Sequence, residues 1–330
     1  MTTFITGGTS SIGRILVKQL SDQGETLKVL VRSSKRKDLL PFPGIEFIEG
    51  DVSNPESLLL GMHGCDKVTH MAAVVGGNTP ENVWYAVNVE GTRNVLEAAR
   101  RSGVKSYVQV SSLSVLGHTQ PGECADETRP IDSRLHTTLY QKTKYAADQI
   151  ALEYAANGLA VKIVYPGFGF GCSSASSHAS MQEQTLLRMA RGEPTAIMGS
   201  GKNRVLLAYY NDTSSAICLA HQNGKVGERY ILGNESLTFP EIWQGIASVL
   251  GKETPKRKMP IAVLRMISFI AALRGQEAIL TQDFLEMISF DWCFSNQKAR
   301  TELGWQPLSY LEAMTKTWQA YQAQGFTVSS

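Results

Sequence analysis

Short apolar runs of strand character alternate, through the first half of the chain, with longer runs whose apolar residues recur at helical spacing. The strand-like runs are TTFIT (2–6), LKVLVR (27–32), IEFIEGD (45–51), KVTHMAA (67–73), SYVQVSS (106–112) and VKIVYP (161–166). After the first of them, RILVKQL sets Ile15, Leu16, Val17 and Leu20 close to one helix face. The clearest helical pattern is NVEGTRNVLEAARRSG, Asn88 to Gly103. Strand and helix in alternation predict a parallel sheet with right-handed crossovers and helices on both faces. After Pro166 the pattern changes. GFGFGCSSASSHAS (167–180) reads as a long loop and a boundary, and helical patterns dominate from residue 238 onward. Only RYILG (229–233) still reads as a strand there.

Composition narrows this picture. The chain has 330 residues, 43% of them hydrophobic, enough for a sizeable core. Lys and Arg number 32 against 30 Asp and Glu, so no global nucleic-acid footprint is expected. The basic clusters at 35–37 and 256–258 read as solvated loops. No uncharged apolar run approaches the roughly 18 residues of a membrane span, so no integral membrane segment is expected. The five cysteines (65, 124, 172, 218, 293) are scattered, odd in number and without a Cys-x-x-Cys pair. That argues against a disulfide framework and against a zinc or other metal site, and favours a reducing compartment. The first strand begins at residue 2, which leaves no room for a leader, so the cytoplasm is the expected location.

Candidate chemistry begins at TGGTSSIG, Thr6 to Gly13. Strand, glycine turn and helix are the context of a dinucleotide site, in which pyrophosphate rests on the unpaired amides at a helix start. The cradle would comprise Gly7, Thr9, Ser10, Ser11, Ile12 and Gly13, with serine where a middle glycine is usual. The predicted fold is thus α/β: a Rossmann doubly wound parallel sheet (1–166, with about 205–235 rejoining it) and a smaller, mostly helical C-terminal lobe (167–330).

The segment YQKTK holds Tyr140 and Lys144, four apart and so on one helix face. A free tyrosine has a pKa of about 10; a nearby ammonium stabilises the phenolate, at roughly 1.4 kcal/mol per unit. Tyr140 is therefore a candidate acid or base. Ser112, at a strand end, could donate to a substrate oxygen or simply cap local backbone. His136, one turn before Tyr140, is a candidate second acid or base, or a helix-start histidine.

In this order on this strand pattern, these residues resemble the extended branch of the short-chain dehydrogenase/reductase superfamily (the NAD-dependent epimerase/dehydratase family), and the resemblance spans nearly the whole chain. It implies catalytic roles for Ser112, Tyr140 and Lys144, with Asn88 in support. Asp51 and Val52 in GDV match the adenine contact, and Ala72 and Ala73 in HMAA match the segment beneath the cofactor. Tyr165, Pro166 and Phe168 lie in YPGFGFG, which stands for the usual Arg-Pro-Gly-x-x-Tyr-Gly; Tyr165 and Phe170 depart from it. FSNQKARTELGWQPLSYLEAM (294–314) is also typical of the branch and implies a substrate lobe. Dimerisation through two long helices per subunit is common in the family, which makes a homodimer an expectation.

The end of the second strand selects the cofactor. LVRSSKRK offers Arg32 and Lys35, with Ser33, Ser34 and Arg36 beside them, and no carboxylate before Asp38. An acidic residue there would bind the ribose of NAD; arginine accommodates the 2′-phosphate, so NADP(H) is preferred and NAD(H) possible. Sugar-nucleotide dehydratases carry an Asp-Glu pair after the active-site hydroxyl residue. Here Leu113 and Ser114 follow Ser112, which disfavours dehydration. The pattern is most similar to the dihydroflavonol reductase and 3-beta-hydroxysteroid dehydrogenase branches. The resemblance then implies an NADP(H)-dependent oxidoreductase acting on a small carbonyl or alcohol, bulky and apolar if MPIAVLRMISFIAALRG (259–275) walls the site. That stretch reads first as a buried helix of the C-terminal lobe, with a substrate wall or a surface touching membrane as the functional alternatives. Two alternatives stay open: an NAD-dependent nucleotide-sugar epimerase, with Arg204 on phosphate, and a non-catalytic NADPH sensor.

Overall fold

A computed structural model of the chain describes residues 1–76, 79–172, 179–273 and 282–328. Seven parallel strands form the main sheet: β1 (Thr2–Thr6), β2 (Thr26–Val31), β3 (Ile45–Glu49), β4 (Lys67–His70), β5 (Ser106–Val110), β6 (Val161–Pro166) and, much later in the chain, β10 (Arg229–Leu232). Their spatial order is β10-β6-β5-β4-β1-β2-β3. Chain order reverses direction between β1 and β4, and in such sheets the ligand crevice opens beyond the carboxyl ends at that point. β1, β4, β5 and β6 are buried on both faces, as parallel strands under two helical layers must be. One core, around Phe4, Leu58, Leu96 and Tyr107, fills one side of the sheet and continues into the C-terminal lobe. A second, around Leu16, Val29, Val108 and Trp305, fills the other.

The C-terminal lobe is less purely helical than expected. β7 (Phe168–Phe170), β9 (Arg204–Tyr209) and β11 (Ser236–Thr238) form a three-stranded sheet in the order β11-β9-β7. β8 (Ile197–Met198) and β12 (Lys258–Met259) form a two-stranded one. RVLLAY shows no strand boundary in the sequence, because it runs directly into the Tyr210–Asn223 helix. The MPIAVLRMISFIAALRG stretch contains the Ile261–Leu273 helix, and its last two residues lie outside the described ones. The 173–178 part of the Ser-rich loop lies outside them as well.

The cysteine expectation is corrected. Cys124 and Cys293 form a disulfide across a sequence separation of 169, with Cα atoms 4.7 Å apart. A connection of that length between two scattered cysteines cannot be read from spacing. With it goes the cysteine-based ground for a reducing compartment. Cys65, Cys172 and Cys218 are free. Among the described residues no group of His, Cys, Asp and Glu could hold a metal ion, and no helix is long and apolar enough to cross a membrane.

Candidate active site

The glycine loop joins β1 to the Ser11–Asp22 helix. Gly7 turns the chain with φ of 73°, and a Cβ there would stand 2.7 Å from the Ala72 amide nitrogen. Gly13 lies so close to the loop's start that a Cβ would collide with the Gly7 carbonyl. Ser10, in the place of the middle glycine, needs no glycine: its φ is −73°, and it is the helix N-cap, accepting from the Gly13 amide at 3.1 Å. The amides of Ser11 and Ile12 precede the first intrahelical bonds and, with the helix dipole, suit a pyrophosphate. This loop therefore fits a dinucleotide despite its serine.

At the end of β2, Arg32 is exposed and Ser33 caps a short 3-10 turn (Ser34–Leu39) that presents Lys35 to solvent. Arg36 reaches back from this turn to the glycine loop, its Nη1 donating to Thr9 Oγ1 at 3.4 Å. Asp51 lies beyond β3, one carboxylate oxygen accepting from the Ser53 amide and hydroxyl at 2.9 and 2.8 Å. Val52 is buried against Gly91. Ala72 and Ala73 follow β4, with the Ala72 amide donating to Thr6 Oγ1 at 3.2 Å.

Beneath that segment runs a directed chain of hydrogen bonds. Thr92 Oγ1 donates to the Asn88 carbonyl at 2.7 Å, so it must accept from His70 Nε2 at 3.0 Å. His70 Nδ1 is then an acceptor for the Thr6 hydroxyl at 2.6 Å. Burial, with the Lys144 charge nearby, lowers the His70 pKa to about 3 and keeps the ring neutral, as this pattern demands. Asn88 itself sits in a π-helical turn (Tyr85–Glu90) that leads into the Gly91–Arg101 helix. Its Oδ1 accepts from the Val74 amide at 2.7 Å, and its Nδ2 donates to Thr143 Oγ1 at 3.0 Å. Such turns carry one extra residue and are frequent at functional sites. Nothing in the residue pattern announces this one.

Tyr140 and Lys144 share a face of the Leu139–Ala156 helix, which starts with a capping box between Thr138 and Gln141. Tyr140 is half-buried, its ring edge-on to Trp84 at 6.3 Å. Lys144 is buried and donates to the Val110 carbonyl at 2.8 Å, at the very end of β5. Burial lowers its pKa, and the Asp148 charge opposes that. Ser112 follows β5, its hydroxyl 2.9 Å from that of Ser114, and caps the Leu113–Leu116 turn. Asn88, Ser112 and Lys144 thus converge on the carboxyl end of β5, Asn88 through Thr143, with Tyr140 one turn before Lys144.

His136 is buried, its Nε2 2.7 Å from the Val115 carbonyl and therefore the protonated nitrogen, and its ring lies against Tyr145. Burial lowers its pKa. It ties the Leu113–Leu116 turn to the tyrosine helix. Tyr165 and Pro166 are buried at the end of β6, and the Tyr165 hydroxyl, beside Asp148 and Arg229, has no well-formed hydrogen bond.

Several residues beside the site gave no signal in the sequence. Asp148, one turn beyond Lys144, is fully buried, accepts from Ser111 Oγ at 2.7 Å, and has its pKa raised by burial to about 6. Phe168 on β7 meets Trp292 edge-on at 5.7 Å, His118 stacks on Phe290 at 4.2 Å, and His118 also faces Trp292 at 6.3 Å. The disulfide and the bridges Thr119–Asp291 and Ala125–Phe294 pin the loop carrying His118 against this aromatic group. Glu286 accepts from Gln141 at 3.0 Å and so docks the Gln282–Ser289 helix beside Tyr140.

The same architecture recurs among known proteins. The family model for the NAD dependent epimerase/dehydratase family matches residues 3–233. A putative dihydroflavonol 4-reductase from Synechocystis is 30% identical over 98% of this chain and 95% of its own. A 4-hydroxy-2-methyl-3-oxo-4-farnesyl-3,4-dihydroquinoline-1-oxide ketoreductase from Stigmatella aurantiaca is 28% identical over 92% of each chain. The crystal structure of a UDP-glucose 4-epimerase from Thermotoga maritima superposes with a TM-score of 0.81 at 20% identity, covering 98% of this chain and 99% of that one, which shows the shared fold. The chain belongs to the NAD-dependent epimerase/dehydratase family of extended short-chain dehydrogenases/reductases, the class of NAD(P)-dependent oxidoreductases.

Proposed function

We propose that this protein reduces the carbonyl of a bulky, apolar small molecule with NADPH, or oxidises the matching alcohol. The observation that carries the reading is Lys144, buried at the end of β5 one helical turn from Tyr140. An ammonium out of water stabilises a phenolate far more strongly than a solvated one does. Asp148 opposes the loss of that charge on burial. A bound nicotinamide supplies or accepts the hydride. Tyr140 gives the proton to the substrate oxygen or takes it back, Ser112 hydrogen-bonds that oxygen in place of Ser114, and Lys144 also holds the nicotinamide ribose. Arg32, Lys35 and Arg36 supply the cations for a 2′-phosphate, and no carboxylate at the end of β2 opposes them. Phe168, Trp292 and Phe290 offer aromatic surface to an apolar substrate. The ketoreductase relative named for a farnesylated ketone supports that substrate class.

Titration of the purified protein with NADPH and NADH tests the reading, followed by NADPH oxidation with apolar ketones and aldehydes. A preference for NADPH of about tenfold or more, about 1.4 kcal/mol, is expected, and Arg32→Ala should erase most of it. Tightly retained NAD, or a preference for NADH, would transfer the protein to the nucleotide-sugar epimerase reading, for which Arg204 stands exposed at the start of β9. Bound NADPH with no turnover on any carbonyl would leave a sensor.

A further inference from the structure

The Ile261–Leu273 helix is the apolar stretch that the active site does not absorb. Leu264 of this helix is buried, but Val263, Met266, Ile267, Phe269, Ile270 and Leu273 are 37–72% exposed. Phe269 and Leu273 are the most exposed of these, at 66% and 72%. The helix carries one charged residue, Arg265, which is exposed, and no acid. Immediately before it, Lys256, Arg257 and Lys258 are all exposed. Glu253 pairs with Lys256 at 3.8 Å. Water is a poor solvent for such a face, and exposed apolar patches of this kind mark an interaction surface.

We propose that this helix seats the protein on an anionic phospholipid surface. Its 13 residues span about 20 Å, too short to cross a bilayer but suited to lying in its interface. Apolar side chains that enter the headgroup region beside lysines and arginines that meet lipid phosphates are the two components of such binding. Charge complementarity decides against a second copy of this chain as the occupant: two such faces brought together would juxtapose the 256–258 cations and Arg265 of each. The proposal does not depend on which carbonyl compound is reduced.

Vesicle co-sedimentation of the whole protein tests it, with phosphatidylcholine alone and with phosphatidylcholine containing phosphatidylglycerol. The expected result is binding to the anionic vesicles at least about tenfold stronger than to the neutral ones, falling as salt rises. Phe269→Asp with Leu273→Asp should abolish it. Lys256→Glu with Arg265→Glu should weaken it by about tenfold or more while leaving the apolar face intact. Both pairs are exposed, so circular dichroism should show unchanged folding. Absence of binding to the anionic vesicles overturns the proposal, as does binding indifferent to both pairs of substitutions. A solution dimer that Phe269→Asp dissociates, without vesicle binding by the parent, would reassign the face to self-association.

Discussion

On the proposed cofactor side of the crevice, backbone is held against backbone: Gly13 against the Gly7 carbonyl, Gly7 against the Ala72 amide. On the proposed substrate side, side chains hold loop against loop: His118 on Phe290, Phe168 on Trp292, and the disulfide fastening residue 124 to residue 293. The first kind of contact leaves no room for variation, because a single added carbon displaces peptide groups. The second tolerates change, because one ring can replace another of similar volume. A fold arranged this way keeps one cofactor chemistry while its substrate wall changes. One fold can host different chemistries in this way.

The sharpest way to break the comparison is at the hinge between the two sides. Tyr140→Phe removes the proposed proton donor and keeps the ring contact with Trp84. Turnover should fall by about 10²–10⁴ while NADPH binding hardly moves. Steady-state kinetics beside a cofactor titration checks this, and near-normal turnover in the variant would sink the proposed mechanism.

Cys124→Ser acts on the substrate side alone. Releasing a bridge across so long a loop should cost about 2–4 kcal/mol of stability. The loop carrying His118 then loses its covalent tie to the aromatic wall, so KM for apolar ketones should rise while NADPH affinity holds. Chemical denaturation with and without reductant measures the first effect. A loss of NADPH affinity as large as the rise in KM would mean that the two sides are not separable. Gly13→Ala is the converse. The new methyl would meet the Gly7 carbonyl and stand 2.8 Å from the Gly8 Cα, so backbone must shift, at a cost of about 1–3 kcal/mol. Here NADPH affinity should drop, and any fall in ketone turnover should be recovered at saturating cofactor.

The same division explains what could be read from the chain. β1, β4, β5 and β6 were visible because burial on both faces forces near-continuous apolar runs, β3 by apolar residues interspersed with acidic ones, and the glycine loop because its spacing is set by close approach. Tyr140 and Lys144 were legible as a helical pair. The substrate wall was not. Trp292 and His118 are 174 residues apart in the chain and meet only through the Thr119–Asp291 bridge and its neighbours. β7 and β11 are three residues each, too short to show alternation. Asp148 carries its meaning only in burial, and an aspartate on a helix ordinarily reads as solvated.

That residue gives the finest test, because it lies where the two sides meet. Burial raises the Asp148 pKa to about 6 from an ordinary value near 3.8, with Lys144, Ser111 and Tyr165 pulling it back. The folded chain therefore holds a proton that the unfolded chain releases. The resulting destabilisation is absent below about pH 4, grows as pH rises toward 6, and is fully present above that. One proton bounds the slope at about 1.4 kcal/mol per pH unit. His70 and His221, both pushed to about 3 by burial, act in the opposite sense over the same range, because the unfolded chain takes up the protons they refuse. The parent's own stability curve mixes these effects, so the difference between Asp148→Asn and the parent is the quantity to measure. Asparagine can still accept from Ser111, and its stability relative to the parent should improve steadily from pH 4 to pH 6 and then level off. Removing the carboxylate also removes what opposes the fall in the Lys144 pKa. The alkaline limb of the variant's turnover should then move to lower pH, with KM for the ketone unchanged. A stability difference flat across that range would mean that burial does not raise the Asp148 pKa and that its carboxyl titrates in the folded chain as it does in the unfolded one.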